Sequence, residues 1–124
     1  ILLTARGKVS EAAAACLLLV RDGVLGTPDR SSDILESVTR ATVITLASDL
    51  GLRCEEREVD RTELYAAEEV FLCGTGQELV PVVSVDRLRV GDGAPGAATR
   101  RLQAAYDAVV RGTSETHPEW RSLV

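Results

Sequence analysis

The sequence predicts a single mixed α/β (α+β) domain, in which short apolar strands are combined with two amphipathic helices. Two turns predict the strands, because Asp-Gly at residues 22–23 and Gly-Thr-Gly at residues 74–76 each separate two apolar runs. Apolar residues at helical spacing in residues 34–50 and 97–110 predict the helices. With 124 residues, of which 45% are hydrophobic, the chain is long enough to bury one core.

The first part of the chain predicts three strand segments. Residues 1–4 look like the end of a strand, and residues 6–8 look like a turn. The four alanines at 12–15 favour helix by propensity, but the aliphatic block that follows, so close to the next turn, favours a buried strand over residues 16–20. Residues 24–26 form the returning strand of this hairpin. Glu11 therefore precedes a hairpin, among side chains too small to block access to it.

The first amphipathic helix is predicted to begin near Glu36 or Ser37, with Ser37 as an N-cap residue, and to stop at Gly51. Its first turn leaves the N–H groups of Val38 and Thr39, together with the Thr39 hydroxyl, available to an anion. Its inner face is predicted to comprise seven apolar residues: Leu35, Val38, Val43, Ile44, Leu46, Ala47 and Leu50.

The second part of the chain predicts the remaining elements. They are a strand over residues 52–59, a short helix over residues 60–65 capped by Asp60, a strand from residue 69, an outgoing strand that reaches Val85, a hairpin return over residues 86–90, and a helix over residues 97–110. The inner face of that last helix is predicted to carry Leu102, Ala105, Tyr106 and Val109. We expect the polar tail, residues 112–124, to lie on the surface with Trp120 as its anchor.

The Gly-Thr-Gly turn is a second candidate anion site. Glycines allow close approach of a ligand to the backbone and reach φ values that other residues avoid. Consecutive N–H groups around Thr75 can then point at phosphate or carboxylate oxygens. Many hairpins use the same residues only to turn, so the turn by itself leaves both interpretations open.

Composition argues against several classes of function. The net charge is −5 and the charges of both signs are spread along the chain, so the sequence has no basic face for nucleic acid or an anionic membrane. No apolar run approaches the length of a membrane span, and we expect a soluble, cytoplasmic protein. The three cysteines, Cys16, Cys54 and Cys73, have neither metal-ligand spacing nor a neighbouring His, and are expected to be reduced, partly buried thiols. His117 is the only histidine, which disfavours a catalytic pair based on His.

Two omissions concern the length of the protein and its chemistry. The chain contains no Met and begins with Ile1, so we expect it to be a piece of something longer. Lys8 is its one lysine, which limits any reaction that needs an amine.

Five segments, taken together and in this order, resemble the C-terminal part of the fold-type IV pyridoxal-phosphate enzymes, most closely the branched-chain amino acid aminotransferases. They are Val9-Ser10-Glu11, Asp22-Gly23-Val24-Leu25-Gly26-Thr27-Pro28, Leu35-Glu36-Ser37-Val38-Thr39-Arg40, Ala67-Glu68-Glu69-Val70-Phe71 and Gly74-Thr75-Gly76-Gln77-Glu78-Leu79-Val80-Pro81-Val82. Each segment alone is only suggestive, whereas the set at these spacings is specific and covers nearly the whole chain.

The resemblance implies a fold, a cofactor and a set of site residues. It implies a mixed β-sheet or pseudo-barrel with two main helices, and residues 1–124 as the C-terminal cofactor-binding domain of an aminotransferase that uses pyridoxal 5'-phosphate (PLP). In the family pattern, Glu11 matches the partner of the pyridine nitrogen, and Val38, Thr39 and Thr75 match the phosphate site. Thr75 and Gly76 match the contact with the substrate carboxylate. Arg40 also falls in the pattern, where we interpret it as structural before ligand-binding.

The same resemblance implies what lies outside the chain. The lysine that forms the Schiff base belongs to an N-terminal half upstream of residue 1, and Lys8 does not match it. The expected partners are an amino acid, a 2-oxo acid, that other half, and further copies in a homodimer or larger assembly.

The sequence also departs from the family. Cys16 and Leu18 stand where the family usually has Asn and an aromatic residue, and the segment between Glu11 and Cys16 is all alanine. Three alternatives stay open: a lyase of the aminodeoxychorismate type, a D-amino acid or amine transaminase, or a degenerate relative without catalysis, which Cys16 and the alanine segment favour.

Overall fold

A computed structural model describes residues 1–120 of the chain. The strands are β1 (Cys16–Arg21), β2 (Val24–Pro28), β3 (Cys54–Arg57), β4 (Glu69–Gly74), β5 (Glu78–Val82), β6 (Ser84–Val85) and β7 (Leu88–Arg89). The α-helices are α1 (Val38–Asp49), α2 (Glu63–Ala66) and α3 (Ala97–Val110), and single 3₁₀ turns occur at Arg30–Ser32 and Pro118–Trp120. The two main helices that the sequence predicts are confirmed.

Five strands form one mixed sheet in the order β3-β2-β1-β4-β5. The β1–β2 hairpin closes with Asp22 and Gly23 both at positive φ, 51° and 71°, as a tight turn between twisted strands requires. Strand β3 pairs in parallel with β2, because α1 carries the chain back over the sheet between them. The second strand pair, β6 and β7, forms a separate hairpin.

Strand β1 is buried on both faces, which is why residues 16–20 form a continuous apolar block. Alternate side chains enter two cores, as strand geometry dictates. Leu18 and Phe71 pack beneath α1 and α3, whereas Leu17, Leu19 and Val70 pack on the opposite face. The preference for strand over helix in this block is confirmed.

Helix α1 begins where the sequence predicts, since Ser37 is its N-cap and the Ser37 side chain accepts the N–H of Arg40 at 3.2 Å. Val43 lies in the core, but Val38 is 82% exposed, so its predicted place on the inner face is wrong. The two residues are five positions apart, which places them about 140° apart around the helix. Leu35, also predicted to be inward, precedes the helix and is exposed.

Glu69, the first residue of β4, fixes α3 on the sheet. Its carboxylate accepts the N–H groups of Ala98 and Thr99 at 2.9 and 2.7 Å and the Thr99 hydroxyl at 2.6 Å. A Cβ at Gly96 would lie 2.0 Å from the Glu69 Cδ, so a larger residue there would displace this carboxylate from its donors. The helix bounds are confirmed, and Leu102, Tyr106 and Val109 are buried as predicted.

Two smaller predictions are wrong. Asp60 does not cap the short helix, which begins at Glu63, because its carboxylate is bound to the Lys8 Nζ at 2.6 Å. The outgoing strand does not continue to Val85, since β5 ends at Val82 and Ser84–Val85 pairs with β7 instead. The pattern of residues around Asp60 cannot reveal a partner 52 positions away. Nor can an apolar run reveal where a strand within it ends.

Residues 1–120 contain no helix that is long and apolar enough to cross a membrane. The same residues contain no group of three or more His, Cys, Asp or Glu side chains that could hold a metal ion.

Candidate functional site

Glu11 and the Thr75 turn line one cavity of about 240 Å³. Its floor is the beginning of β1, one wall is the segment that leads into α1, and the other is the turn between β4 and β5. The lining residues are Glu11, Ala12, Ala13, Ala14, Ala15, Cys16, Leu35, Ser37, Cys73, Gly74, Thr75 and Gly76.

Glu11 is half-buried, and one of its two oxygens is held by the protein. The Leu35 N–H donates to Oε2 at 3.1 Å, and the Cys16 Sγ lies 3.9 Å from the same oxygen. Among residues 1–120, the other oxygen, Oε1, has no hydrogen-bond partner. The alanine segment folds into a tight turn in which the Ala12 N–H donates to the Ala15 carbonyl at 2.8 Å, and its small side chains leave the carboxylate accessible.

The start of α1 and the Thr75 turn meet in space. The hydroxyl oxygens of Thr39 and Thr75 are 3.5 Å apart, although the residues are 36 positions apart in sequence. Ser37 caps the N–H of Arg40, so the N–H groups of Val38 and Thr39 have no acceptor within the helix. The structure therefore brings the two candidate anion sites next to each other at these hydroxyl groups.

The Thr75 turn is built differently from the prediction. Its closing bond runs from the Gln77 N–H to the Gly74 carbonyl at 3.2 Å, and neither Gly74 nor Gly76 has a positive φ. The left-handed residue is Glu78, with φ at 55°. Gly74 is needed for another reason, because a Cβ there would lie 2.9 Å from the Ala14 carbonyl oxygen. A Cβ at Gly76 would meet nothing within 4 Å.

A second, larger cavity of about 660 Å³ shares Thr75 with the Glu11 cavity and is also lined by Thr39. It runs between α1 and α3 and is also lined by Trp120, whose ring stacks on His117 with centroids 3.9 Å apart. Its other lining residues are Val38, Ala41, Thr42, Thr45, Tyr106, Val109 and Val110. Thr75 thus lies between the two cavities, whereas Val38 and Thr39 line only the larger one.

All three cysteines are free thiols, as expected. Burial raises the pKa of Cys16 and Cys54 and raises that of Cys73 to about 12. Each thiol is therefore protonated at neutral pH and is a poor nucleophile.

Arg40 is structural in this molecule. Its side chain is buried, and it donates to the Thr27 hydroxyl at 3.2 Å, the Pro28 carbonyl at 2.8 Å and the Glu56 carboxylate at 2.7 Å. These bonds tie α1 to β2 and β3, and they engage the guanidinium away from the Glu11 cavity.

Sequence reasoning missed two partners of Glu11. The first is the N–H of Leu35, a backbone donor that no side-chain pattern can reveal. The second is Cys16, which the sequence marks only as a departure from the family; its spacing of five residues from Glu11 was a signal, because a tight turn brings such residues close together.

Comparison with known proteins gives the family. The model for amino-transferase class IV matches residues 1–85. The branched-chain-amino-acid aminotransferase of Escherichia coli K12 is 42% identical over 124 residues, and that of Pseudomonas aeruginosa is 38% identical over 123. The alignments include 100% and 99% of this chain but only 40% of each relative.

Comparison with solved structures gives the same type of protein. The PLP form of the branched-chain amino acid aminotransferase from Thermobaculum terrenum superposes with a TM-score of 0.92 at 51% identity, over 95% of this chain and 39% of that chain. The branched-chain aminotransferase from the archaeon Thermoproteus uzoniensis, solved with norvaline, gives 0.92 at 39% identity, over 97% of this chain and 39% of that chain. The family match over residues 1–85 and these shared folds lead to one conclusion: the chain belongs to the class IV aminotransferase family.

Proposed function

We propose that this chain is the C-terminal, cofactor-binding domain of a PLP-dependent branched-chain amino acid aminotransferase, which transfers an amino group between an amino acid and a 2-oxo acid. One observation carries the proposal: the hydroxyls of Thr39 and Thr75 meet at 3.5 Å beside the cavity that Glu11 lines. Because the chain spans about 40% of the relatives it matches, the activity is proposed for the whole protein.

The residues of the site fit PLP at both of its ends. A phosphate needs several donors, and the N–H groups of Val38 and Thr39 and the Thr75 hydroxyl offer them at a helix N-terminus. A protonated ring nitrogen needs an anionic acceptor, and the free Oε1 of Glu11 provides one. When bound, PLP supplies an electron-accepting ring to the substrate carbon.

The residues of this chain bind and orient rather than react. Glu11 would hold the proton on the ring nitrogen through Oε1, while its Oε2 is fixed by Leu35. Thr75 and the N–H of Gly76 lie at the exposed lip of the turn, where they would receive a substrate carboxylate.

The lysine that links to the cofactor is proposed to come from an N-terminal half. Lys8 does not line the Glu11 cavity, and its Nζ is paired with the Asp60 carboxylate at 2.6 Å. That hydrogen bond raises the pKa of Lys8, which makes it a poorer nucleophilic amine.

The branched-chain substrates follow from the names of the relatives, and the cytoplasmic location and the homodimer or larger assembly belong to the same proposal. The second candidate, a degenerate relative without catalysis, is favoured by Cys16 and the alanine segment. The other two alternatives, the lyase and the D-amino acid or amine transaminase, have no specific support in the site.

The test uses the full protein that carries this chain. After incubation with PLP and removal of excess cofactor, we expect a visible absorption band and amino transfer from leucine, isoleucine or valine to a 2-oxo acid. A band without transfer to any amino acceptor would favour the degenerate relative or the lyase, and the absence of a band would contradict the proposal.

A further inference from the structure

Cys16 is buried at the point where the parts of the site converge. Its Sγ lies 3.9 Å from the Glu11 Oε2 and 3.8 Å from the Leu35 carbonyl oxygen. The Leu35 N–H donates to the same Glu11 oxygen. The carboxylate therefore lies between the thiol and the Leu35 N–H, and the single proton of the thiol has two acceptors within reach, the Glu11 Oε2 and the Leu35 carbonyl oxygen.

The same residue also lies beside the structures that form the phosphate end. Cys16 and Ser37, the residue that caps α1, both line the Glu11 cavity. In the sheet, Cys16 stands directly opposite Cys73, two residues before Thr75. The carboxylate, the helix start and the threonine turn thus share one side chain as a common neighbour.

We propose that Cys16 is a positioning residue, whose S–H group fixes Oε2 of Glu11 against the start of α1 and so directs Oε1 toward the ring nitrogen of the cofactor. The inference rests on the proposed function, because it assigns a ring nitrogen to that oxygen. It goes beyond the resemblance to the family, in which this position usually carries a different residue.

The chemistry of the thiol supports this role. Burial raises the pKa of Cys16, so its proton is retained and can be donated to the carboxylate. A neutral donor adds no second negative charge beside Glu11. The S–H group is a weak donor, and the Leu35 N–H supplies the stronger bond, so Cys16 adjusts the direction of the carboxylate rather than its presence in the cavity.

The competing explanation is that Cys16 only fills the core, where it also packs. Cys16→Val preserves approximately the volume and removes the donor, whereas Cys16→Ser keeps a donor. The matched control is Cys54→Val, because Cys54 packs against the same core from β3 and does not line the Glu11 cavity.

The measurement is the pH midpoint of the visible band of bound PLP in the full protein, recorded beside the thermal midpoint of the cofactor-free protein. We expect Cys16→Val to shift the band midpoint by up to about half a pH unit, because the S–H group is a weaker donor than the groups that form ordinary hydrogen bonds. Cys16→Ser should shift it less, and Cys54→Val should leave it unchanged. If Cys16→Val does not fold, Cys16→Ala against Cys16→Ser gives the same comparison.

A core-filling role predicts a different result, in which Cys16→Val changes only the thermal midpoint, or the serine and valine variants shift the band equally. Either result overturns the inference and leaves the proposed function intact. A wild-type protein that acquires no band with PLP overturns both.

Discussion

Glu11 divides its hydrogen bonding between its two oxygens. Oε2 accepts the Leu35 N–H and faces the Cys16 thiol, whereas Oε1 has no partner among residues 1–120. A carboxylate held on one side and free on the other can accept a proton-bearing group without first giving up a protein contact.

We therefore expect Glu11→Gln to lower kcat by roughly 100-fold or more, because the amide cannot stabilise the positive charge of a protonated ring nitrogen. Cofactor affinity should fall by a smaller factor, since the phosphate contacts are unchanged. Steady-state kinetics and PLP titration of the full protein measure both effects. Glu115→Gln, at an exposed position, is the control. Unchanged turnover in Glu11→Gln would remove the role proposed for Glu11.

At Thr75, we expect a substitution to change the affinity for PLP rather than kcat. Thr75→Val removes one hydroxyl that would donate to a charged phosphate, a loss of roughly 1.5–3 kcal/mol, or about 10- to 100-fold in the dissociation constant of PLP. Equilibrium dialysis against PLP measures this loss. Thr62→Val is the matched control, because the Thr62 side chain makes no cap bond at the start of α2 and is exposed. Equal retention of PLP by both variants would exclude Thr75 as a phosphate ligand.

At the scale of elements, the site is held together by close backbone approach. The turn after β4 packs against the alanine turn that precedes β1, and the Gly74 position leaves no room for a side chain at this contact. The two turns carry Thr75 and Glu11, so their separation sets the distance between the two ends of the site.

This contact yields a paired prediction. Gly74→Ala should destabilise the protein by about 1–3 kcal/mol and weaken PLP binding, because a Cβ 2.9 Å from the Ala14 carbonyl must push the turns apart. Gly76→Ala keeps the backbone N–H and meets open space, and should behave like the wild type. Urea unfolding and PLP titration compare them. Similar behaviour of the two variants would show that the close approach does not hold the site.

Local sequence signals predicted the elements well where the cause was local. Asp22-Gly23 fixed the first hairpin, and Ser37 marked the start of α1 within one residue. Predictions failed where a distant partner decided the structure, as when Lys8 engages Asp60. The same limit hid the Glu69 carboxylate, which has the sequence context of a strand residue and yet caps α3.

For the whole molecule, the mixed sheet with a helical layer was predictable, and the resemblance supplied the order of its parts. The meeting of Glu11, Thr39 and Thr75 could be expected only through that resemblance, because composition and periodicity carry no distances between segments. For the tail, the sequence predicted only that Trp120 acts as an anchor. In the structure, the His117 ring forms hydrogen bonds with Asp49 and Glu119 and stacks on the Trp120 ring.

The tail should respond to pH through His117. Hydrogen bonds to Asp49 and Glu119 raise the pKa of His117 above its ordinary value. These hydrogen bonds therefore contribute fully to the stability of the folded protein below the ordinary pKa of histidine, about 6.5. Their contribution is lost as the pH rises through the raised pKa of His117. NMR titration of the histidine ring, assigned by its disappearance in His117→Gln, measures this pKa, and Asp49→Asn should lower it. A wild-type pKa at or below the ordinary value would contradict this contact.

The most direct test of the central claim is a crystal structure of the full protein grown with PLP. We predict the phosphate within hydrogen-bond distance of the N–H groups of Val38 and Thr39 and of the Thr75 hydroxyl, with the ring nitrogen at the Glu11 Oε1. A phosphate bound elsewhere, or a ring nitrogen turned away from Glu11, would contradict the claim.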